Sequence, residues 1–218
     1  MLLKKTIHIS VLMSVYNTEF QFVKKAINSV LNQDYPFFEL IIIDDGSNSE
    51  LEKPLLNYIK KYEDKITYLR HKNCGQAQSI NKAVKICVGK YVAIIDSDDE
   101  YKPNHLSTCI KSMKENDLIA THTDTIVNQF EDYFVPDKYD FKTNIHVDDC
   151  ILFATLFGKI EVFKSISFKN MYAADSDFYE QASKKYRVTK LPDRTYIYYR
   201  NHQNSITASL KEKQSVLN

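Results

Sequence analysis

Three carboxylates, Asp96, Asp98 and Asp99, close the apolar run KYVAIIDSDDE at Lys90–Glu100. Like charges this close repel, and they persist most easily with a cation between them. Side chains two apart in an extended segment share a face, so Asp96 and Asp98 are expected to point the same way. Carboxylate oxygens suit Mg²⁺ or Mn²⁺, which often bridge to substrate phosphates. The spacing therefore admits a metal–diphosphate site, or a solvated acidic turn before a helix opened by Pro103. A second acidic pair, Asp44–Asp45, ends the run FELIII and precedes Gly46–Ser47. A third, Asp175 and Asp177, opens YAADSDFYEQASKKY. There the acids either cap a helix or aim a carboxylate into a cleft for general-base work. Arg200 and His202 stand in the polar segment YYRNHQNSIT.

These groups need a scaffold to bring them together, and the hydrophobic pattern supplies one. Ile7–Tyr16, Phe38–Ile43, Ile66–Arg70, Tyr91–Ile95 and Leu118–Val127 read as strands. Helical spacing separates them at Phe22–Leu31, Leu51–Tyr62, Ala77–Cys87 and about Asn104–Asn116. Alternation of this kind predicts parallel βαβ units in a doubly wound, Rossmann-like α/β sheet. Ligands bind beyond the carboxyl ends of such strands. Three of those ends carry Tyr16–Asn17, Asp44–Asp45 and Asp96–Asp98, which the topology would converge on one cleft. Periodicity fades from Asn128 to Asp149, read as a long irregular excursion beside the cleft or a surface loop. Cys150–Phe157 is a candidate strand, Glu161–Ser165 a short helix, and Val188–Leu191 and Thr195–Tyr199 further strands. The halves 1–127 and 128–218 are expected to serve nucleotide binding and acceptor-side functions of one domain.

Composition excludes several alternatives. The chain has 218 residues, 44% hydrophobic, with a net charge of +1, enough for one core and giving no field for nucleic acid. Four scattered cysteines match no zinc or redox spacing and predict free thiols in a reducing compartment. No leader and no apolar run of membrane-span length is evident, so a soluble, cytoplasmic protein is expected, with peripheral membrane contact open. Neither G-x-G-x-x-G after the first strand nor G-x-x-x-x-G-K-[ST] occurs, which counts against dinucleotide dehydrogenases and P-loop NTPases.

Six stretches, in order, resemble the family 2 glycosyltransferases, inverting enzymes of the GT-A fold. ISVLMSVYN resembles the first-strand motif, with Ser14 where proline or threonine is usual. SVLNQDYPFFELIIIDDGS is close to the family's most recognisable run. NCGQAQSINKAV resembles its third helix opening, with Ile80 replacing a frequent arginine. GKYVAIIDSDD resembles its D-x-D strand, AADSDF its E-D segment with Ala174 in the place of an acid, and YYRNHQNSIT its C-terminal lid. The resemblance covers residues 7–207. It implies that Tyr16, beside Asn17, stacks on the donor base and Asp45 bonds its ring nitrogen. Asp96 would contact ribose or a metal-bound water, and Asp98 would ligate Mn²⁺ or Mg²⁺. Asp175 would be the base, with Asp177 the alternative. His202 would be a further metal or diphosphate ligand and Arg200 a diphosphate contact.

The expected activity is inverting transfer of a sugar from a nucleotide-diphosphate donor, UDP-linked in the first instance, to a hydroxyl acceptor in a polysaccharide, glycolipid or glycoprotein glycan. A sugar-1-phosphate nucleotidyltransferase would need a glycine-rich, arginine-bearing loop that VYNTEF lacks. A lipid-phosphate-sugar synthase should add membrane helices or a basic amphipathic segment. A non-catalytic nucleotide-sugar-binding module remains the alternative that binds donor without transferring sugar. Sugar, acceptor, linkage and oligomeric state are not legible in the sequence.

Overall fold

A computed structural model describes residues 8–200. His202 lies outside the described residues. Eight strands form one sheet in the order β3-β2-β1-β4-β9-β6-β10-β5. Its heart is β1 (Ile9–Val15), β2 (Phe38–Asp44), β3 (Ile66–Arg70) and β4 (Tyr91–Asp96), all mutually parallel. β1, β2 and β4 are near-continuous runs of β-branched and aliphatic residues because both faces of the sheet are covered. Val11 and Met13 pack with Val23 and Ile27 of α1 (Phe20–Leu31) and Leu55 of α2 (Ser49–Ile59). Leu12, between them, faces Ile80 and Ala83 of α3 (Gln76–Val84) on the other side. This period of two divides the interior into two apolar layers.

The sheet is mixed beyond β4, in keeping with a mostly parallel expectation. β5 (Glu100–Tyr101) and β9 (Leu156–Lys159) run antiparallel to their neighbours, whereas β6 (Leu118–Ile126) and β10 (Val188–Tyr199) pair in parallel. β9 comes from the second half of the chain yet lies between β4 and β6 of the first. The two strands expected at 188–191 and 195–199 are one, whose register to β6 shifts between Leu191 and Tyr196. Pro192 lacks an amide donor, and the irregularity absorbs it. Cys150–Phe157 is only partly a strand. Residues 153–155 make a 3₁₀ turn, and β9 starts at Leu156.

The irregular excursion contains an antiparallel hairpin, β7 (Phe134–Pro136) with β8 (Asn144–His146). α4 (His105–Ser112) follows β5. α5 (Ile160–Ser165) and α6 (Ala174–Ser183) cover the same face as α3. A stack of rings fastens α6: Phe178 lies 4.2 Å from Phe168 and 5.1 Å from Phe163, centroid to centroid. Phe168 is in turn gripped by α3. Asn81 donates to the Phe168 carbonyl (2.8 Å) and accepts from its amide (2.9 Å). Among the described residues no helix is long and apolar enough to cross a membrane.

Phe178 is fully buried, so Phe178→Ala should lower unfolding free energy by about 3–5 kcal/mol. Urea unfolding followed by far-ultraviolet circular dichroism measures the change, and a loss under about 1 kcal/mol would show that α6 is not anchored by this stack.

Candidate active site

The register sets Ser14 beside Asp96 and Val15 beside Asp44, so the carboxyl ends of β2, β1 and β4 finish level. Their loops meet along one edge. Tyr16 leaves β1 as an exposed residue (53%). Asn17 follows in the left-handed region (φ 52°). Its side-chain oxygen accepts from the Asn48 amide (2.8 Å), and its own amide donates to Ser47 Oγ (3.1 Å). Asn17 thus ties the loop after β1 to the loop after β2.

The neighbouring acids Asp44 and Asp45 point to different tasks. Asp44 is fully buried and accepts from the Ser47 amide (2.7 Å) and the Tyr68 hydroxyl (2.6 Å), with Arg70 at 3.4 Å. Burial pushes its pKa upward, but the bonds from Tyr68 and Ser47 outweigh it and hold the carboxyl below its usual range. Asp45 reaches the other way. Oδ1 accepts from the Cys74 amide (2.8 Å), and Oδ2 accepts from the Gly75 amide (2.8 Å) and Asn73 Nδ2 (3.1 Å). Two glycines make this clamp possible. Gly46 and Gly75 hold φ of 84° and 90°, where an L side chain is strained. A Cβ on Gly46 would also meet the Asn73 amide nitrogen at 2.9 Å.

Asp96, Asp98 and Asp99 do not share an extended face. The strand stops at Asp96, and a turn follows in which the Asp99 amide donates to the Asp96 carbonyl (3.4 Å). The turn, not the pleat, gathers the three acids. Asp99 is buried and accepts from the Tyr196 hydroxyl and the Tyr199 amide (2.7 Å), which fastens β4 to β10. Burial, then the charges of Asp96 and Asp98, push its carboxyl far above the usual range. Asp96 accepts from Gln76 Nε2 at 2.6 Å. Burial, followed by the Asp98 charge, pushes it up to about 7. Gln76, the first residue of α3, was not singled out from the sequence. Its signal was its place in NCGQ, directly after the tight Gly75 turn.

Asp96 and Gln76 form one wall of a cavity of about 450 Å³. The β7–β8 hairpin, the segment 149–153 and Met171–Ser176 form the others. Asp175 projects into it from the first turn of α6. Oδ1 accepts from the Ser176 amide (2.8 Å) and Oδ2 from the Phe153 amide (3.1 Å). Burial pushes Asp175 up to about 6 against these bonds, and its charge contributes to the upward push on Asp96. Ala173, the residue before α6, is left-handed (φ 53°, ψ 40°), a strained conformation for a residue with a Cβ. Asp177 is engaged elsewhere, with Lys169 Nζ at 3.2 Å and Gln181 Nε2 at 2.6 Å, and does not line the cavity.

Arg200 directly follows β10, whose Tyr198 lines this cavity. It donates to the Tyr198 hydroxyl (3.3 Å) and the Phe134 carbonyl (3.4 Å). Its buried Nε has no hydrogen-bond partner among the described residues. The site thus unites Asp96 with Asp175, 79 positions apart, and sets Tyr16 and Asp45 along the adjoining strand ends. All the donors that Asp96 and Asp98 offer to a metal are hard carboxylate oxygens, and Asp96 is already strained by the charge of Asp98, so the pair suits Mg²⁺ or Mn²⁺.

The family described as Glycosyl transferase family 2 matches residues 10–171. An uncharacterized glycosyltransferase of Haemophilus influenzae is 29% identical over 188 residues, 84% of this chain and 74% of that one. One of Rickettsia bellii is 40% identical over 115 residues, 53% of this chain and 16% of that one. The chain therefore spans only a small part of the length of the Rickettsia relatives. Among solved structures, S. aureus TarS 1–349 in complex with UDP-GlcNAc superposes with a TM-score of 0.70 at 22% identity, covering 93% of this chain and 61% of that one. A mannosyltransferase of Pyrobaculum calidifontis, in complex with GDP-Man and Mn²⁺, gives 0.72 at 16% identity over 97% and 62%. Those likenesses show the GT-A fold. With the family match running from β1 to the approach of α6, over most of its length, this chain belongs to glycosyl transferase family 2.

Proposed function

We propose that the chain transfers a sugar, with inversion, from a nucleoside-diphosphate donor to a hydroxyl group of a glycan or glycolipid acceptor. The observation that carries this reading is Asp175 and Asp96 facing one cavity at the carboxyl ends of the strands. Tyr16 offers an exposed ring for the donor base, uracil in the first instance. Asp45 keeps one of its roughly four lone-pair directions for the base's ring N–H after its three amide bonds. Asn17 holds the loop that presents Tyr16. Asp96 and Asp98 would hold Mn²⁺ or Mg²⁺, with His202 and Arg200 as further diphosphate-side groups. The bound ion supplies charge neutralisation at the leaving diphosphate.

Asp175 accepts the proton of the attacking hydroxyl. Its carboxylate is held by two amides, sits in an enclosed site and is pushed toward neutrality, as a general base working near pH 7 requires. A single carboxylate on the attacking face, with no enzyme nucleophile, gives inversion at the anomeric carbon. Asp177 is disfavoured as the base because Lys169 and Gln181 hold it outside the cavity.

Asp175→Asn should leave the donor dissociation constant within about twofold and cut turnover by about 10²–10⁴-fold. Donor binding by calorimetry and nucleoside-diphosphate release with an acceptor-glycan panel measure the two, and near-normal turnover would remove Asp175 from the role. The base works ionised, so with Asp175 raised to about 6 the wild-type rate should fall tenfold per pH unit below that value and level off above it, at saturating donor and metal. A flat profile down to pH 4.5 would contradict that protonation step. Asp98→Ala should abolish the Mn²⁺-dependent rise in melting temperature given by UDP or GDP. An undiminished rise in this variant would place the metal elsewhere. If the wild type binds nucleotide and metal but neither transfers nor hydrolyses any donor sugar, the binding-module reading replaces this one.

A further inference from the structure

A second cluster of metal-ligating side chains gathers at Asp45 without the Asp96–Asp98 carboxylates. Asp45, His71 and Cys74 place one donor atom each within 4.8 Å of one another. His71 Nδ1 is 3.3 Å from Asp45 Oδ1 and 3.6 Å from Cys74 Sγ. A tetrahedral Zn²⁺ with bonds of about 2.0–2.1 Å to nitrogen and oxygen and about 2.3 Å to sulfur sets its N···O and N···S separations at about 3.3 and 3.5 Å. Both His71 separations already stand at that spacing, and the third, between Asp45 and Cys74, lies within 4.8 Å. We infer that Asp45, His71 and Cys74 form a transition-metal site of the Zn²⁺ class, distinct in donor chemistry from the all-oxygen Asp96–Asp98 pair.

The surroundings suit this use. Asp45 Oδ2 is occupied by Gly75 and Asn73, while Oδ1 takes only the Cys74 amide of these backbone and amide donors and keeps a lone pair toward His71. The His71 ring is braced at its far side, where Nε2 faces Ser79 Oγ at 3.3 Å. Ser79 Oγ donates to the Gly75 carbonyl (3.1 Å) and so can accept an Nε2 proton. That tautomer leaves the Nδ1 lone pair for the metal. Without a metal, Nδ1–H can donate to the Lys72 carbonyl at 2.8 Å. Binding moves the neutral ring's proton from Nδ1 to Nε2 and releases the Cys74 thiol proton to solvent. Lys82 Nζ lies 3.3 Å from Cys74 Sγ. Its exposed, flexible stem lets the ammonium leave when a cation arrives. His71 and Cys74 are both partly exposed, which gives the ion a route in.

The site has a functional consequence that rests on the donor reading above. A metal on Asp45 Oδ1 takes the lone pair assigned to the donor base. Metal here and nucleoside diphosphate therefore exclude one another, making the enzyme sensitive to Zn²⁺ while it uses Mn²⁺ or Mg²⁺ at Asp96–Asp98.

Co²⁺ titration of the whole chain, reduced with a phosphine and containing excess Mg²⁺, tests the site. A thiolate-to-Co²⁺ charge-transfer band should appear and saturate at one equivalent, since an all-oxygen site gives no such band. Cys74→Ser and His71→Asn should each remove the band and keep the wild-type melting temperature within a few degrees. No band in the wild type, or one that survives in both variants, overturns the site. Titrating UDP or GDP into the Co²⁺ form should bleach the band, and Zn²⁺ should weaken nucleotide binding at least tenfold in the wild type but not in Cys74→Ser. A band that needs Cys74 and His71 yet ignores either nucleotide upholds the metal site and overturns Asp45 as the base contact.

Discussion

Buried carboxylates control this architecture. An ionised acid removed from water is costly unless donors replace its hydration. The chain provides those donors from elements remote in sequence, so each acid becomes a fastener. Asp44 joins β2 to Tyr68 of β3. Asp45 joins the loop after β2 to the amides that open α3. Asp99 joins the end of β4 to Tyr196 and Tyr199 on β10, about a hundred positions away. Asp175 joins α6 to the Phe153 amide ahead of β9. Removing an acid from this set leaves its half-buried or buried donors unpaired, which is why the cleft and the fold are stabilised by the same residues.

Cavity lining, rather than the push on the carboxyl, separates Asp96 and Asp175 from Asp44 and Asp99. Asp44 and Asp99 face protein donors and the interior, and neither lines the cavity. Asp96 and Asp175 do line it, and both are pushed toward neutrality because burial outweighs the bonds they receive. Under the proposed transfer, that residual instability is what a cation or an incoming hydroxyl proton relieves. Groups whose environments oppose their charged form at the lip of a cavity are disposed toward binding and proton transfer.

Much of this could be read from residue order. The strands β1, β2 and β4 were legible because burial on both faces forces continuous apolar runs, and the carboxyl ends of β2 and β4 because those runs halt at acids. The division of labour within Asp44–Asp45 and Asp96–Asp98–Asp99 was not, since identical residues carry no mark of the partner each will meet. Asp98 and Asp96 are neighbours through a turn rather than a strand face, a difference that spacing alone leaves open. β5 is two residues long and exists only as a partner for β10, and β9 depends on the slot between β4 and β6. Gln76 was hidden because a glutamine opening a helix is ordinary until Asp96 lies 2.6 Å away. Cys74 and His71 were hidden because Asp45, which they meet in the fold, sits 29 and 26 positions earlier.

The placement of Asp175 shows how a weak local signal becomes a definite geometry. The first turn of α6 offers an acid no fixed direction, and Ala174 supplies no second carboxylate to steer it. Direction comes from outside the helix. Asn81 holds the Phe168 backbone, Phe168 stacks on Phe178, and this locks the rotation of α6 about its axis. The left-handed Ala173 then turns the chain sharply into the helix, and the Phe153 and Ser176 amides take the two carboxylate oxygens. A strained residue of this kind persists only where its surroundings over-determine it. Here those surroundings are the α3–Phe168–α6 packing, so the helix that forms one edge of the Asp45 clamp also aims the carboxylate on the opposite wall of the cavity.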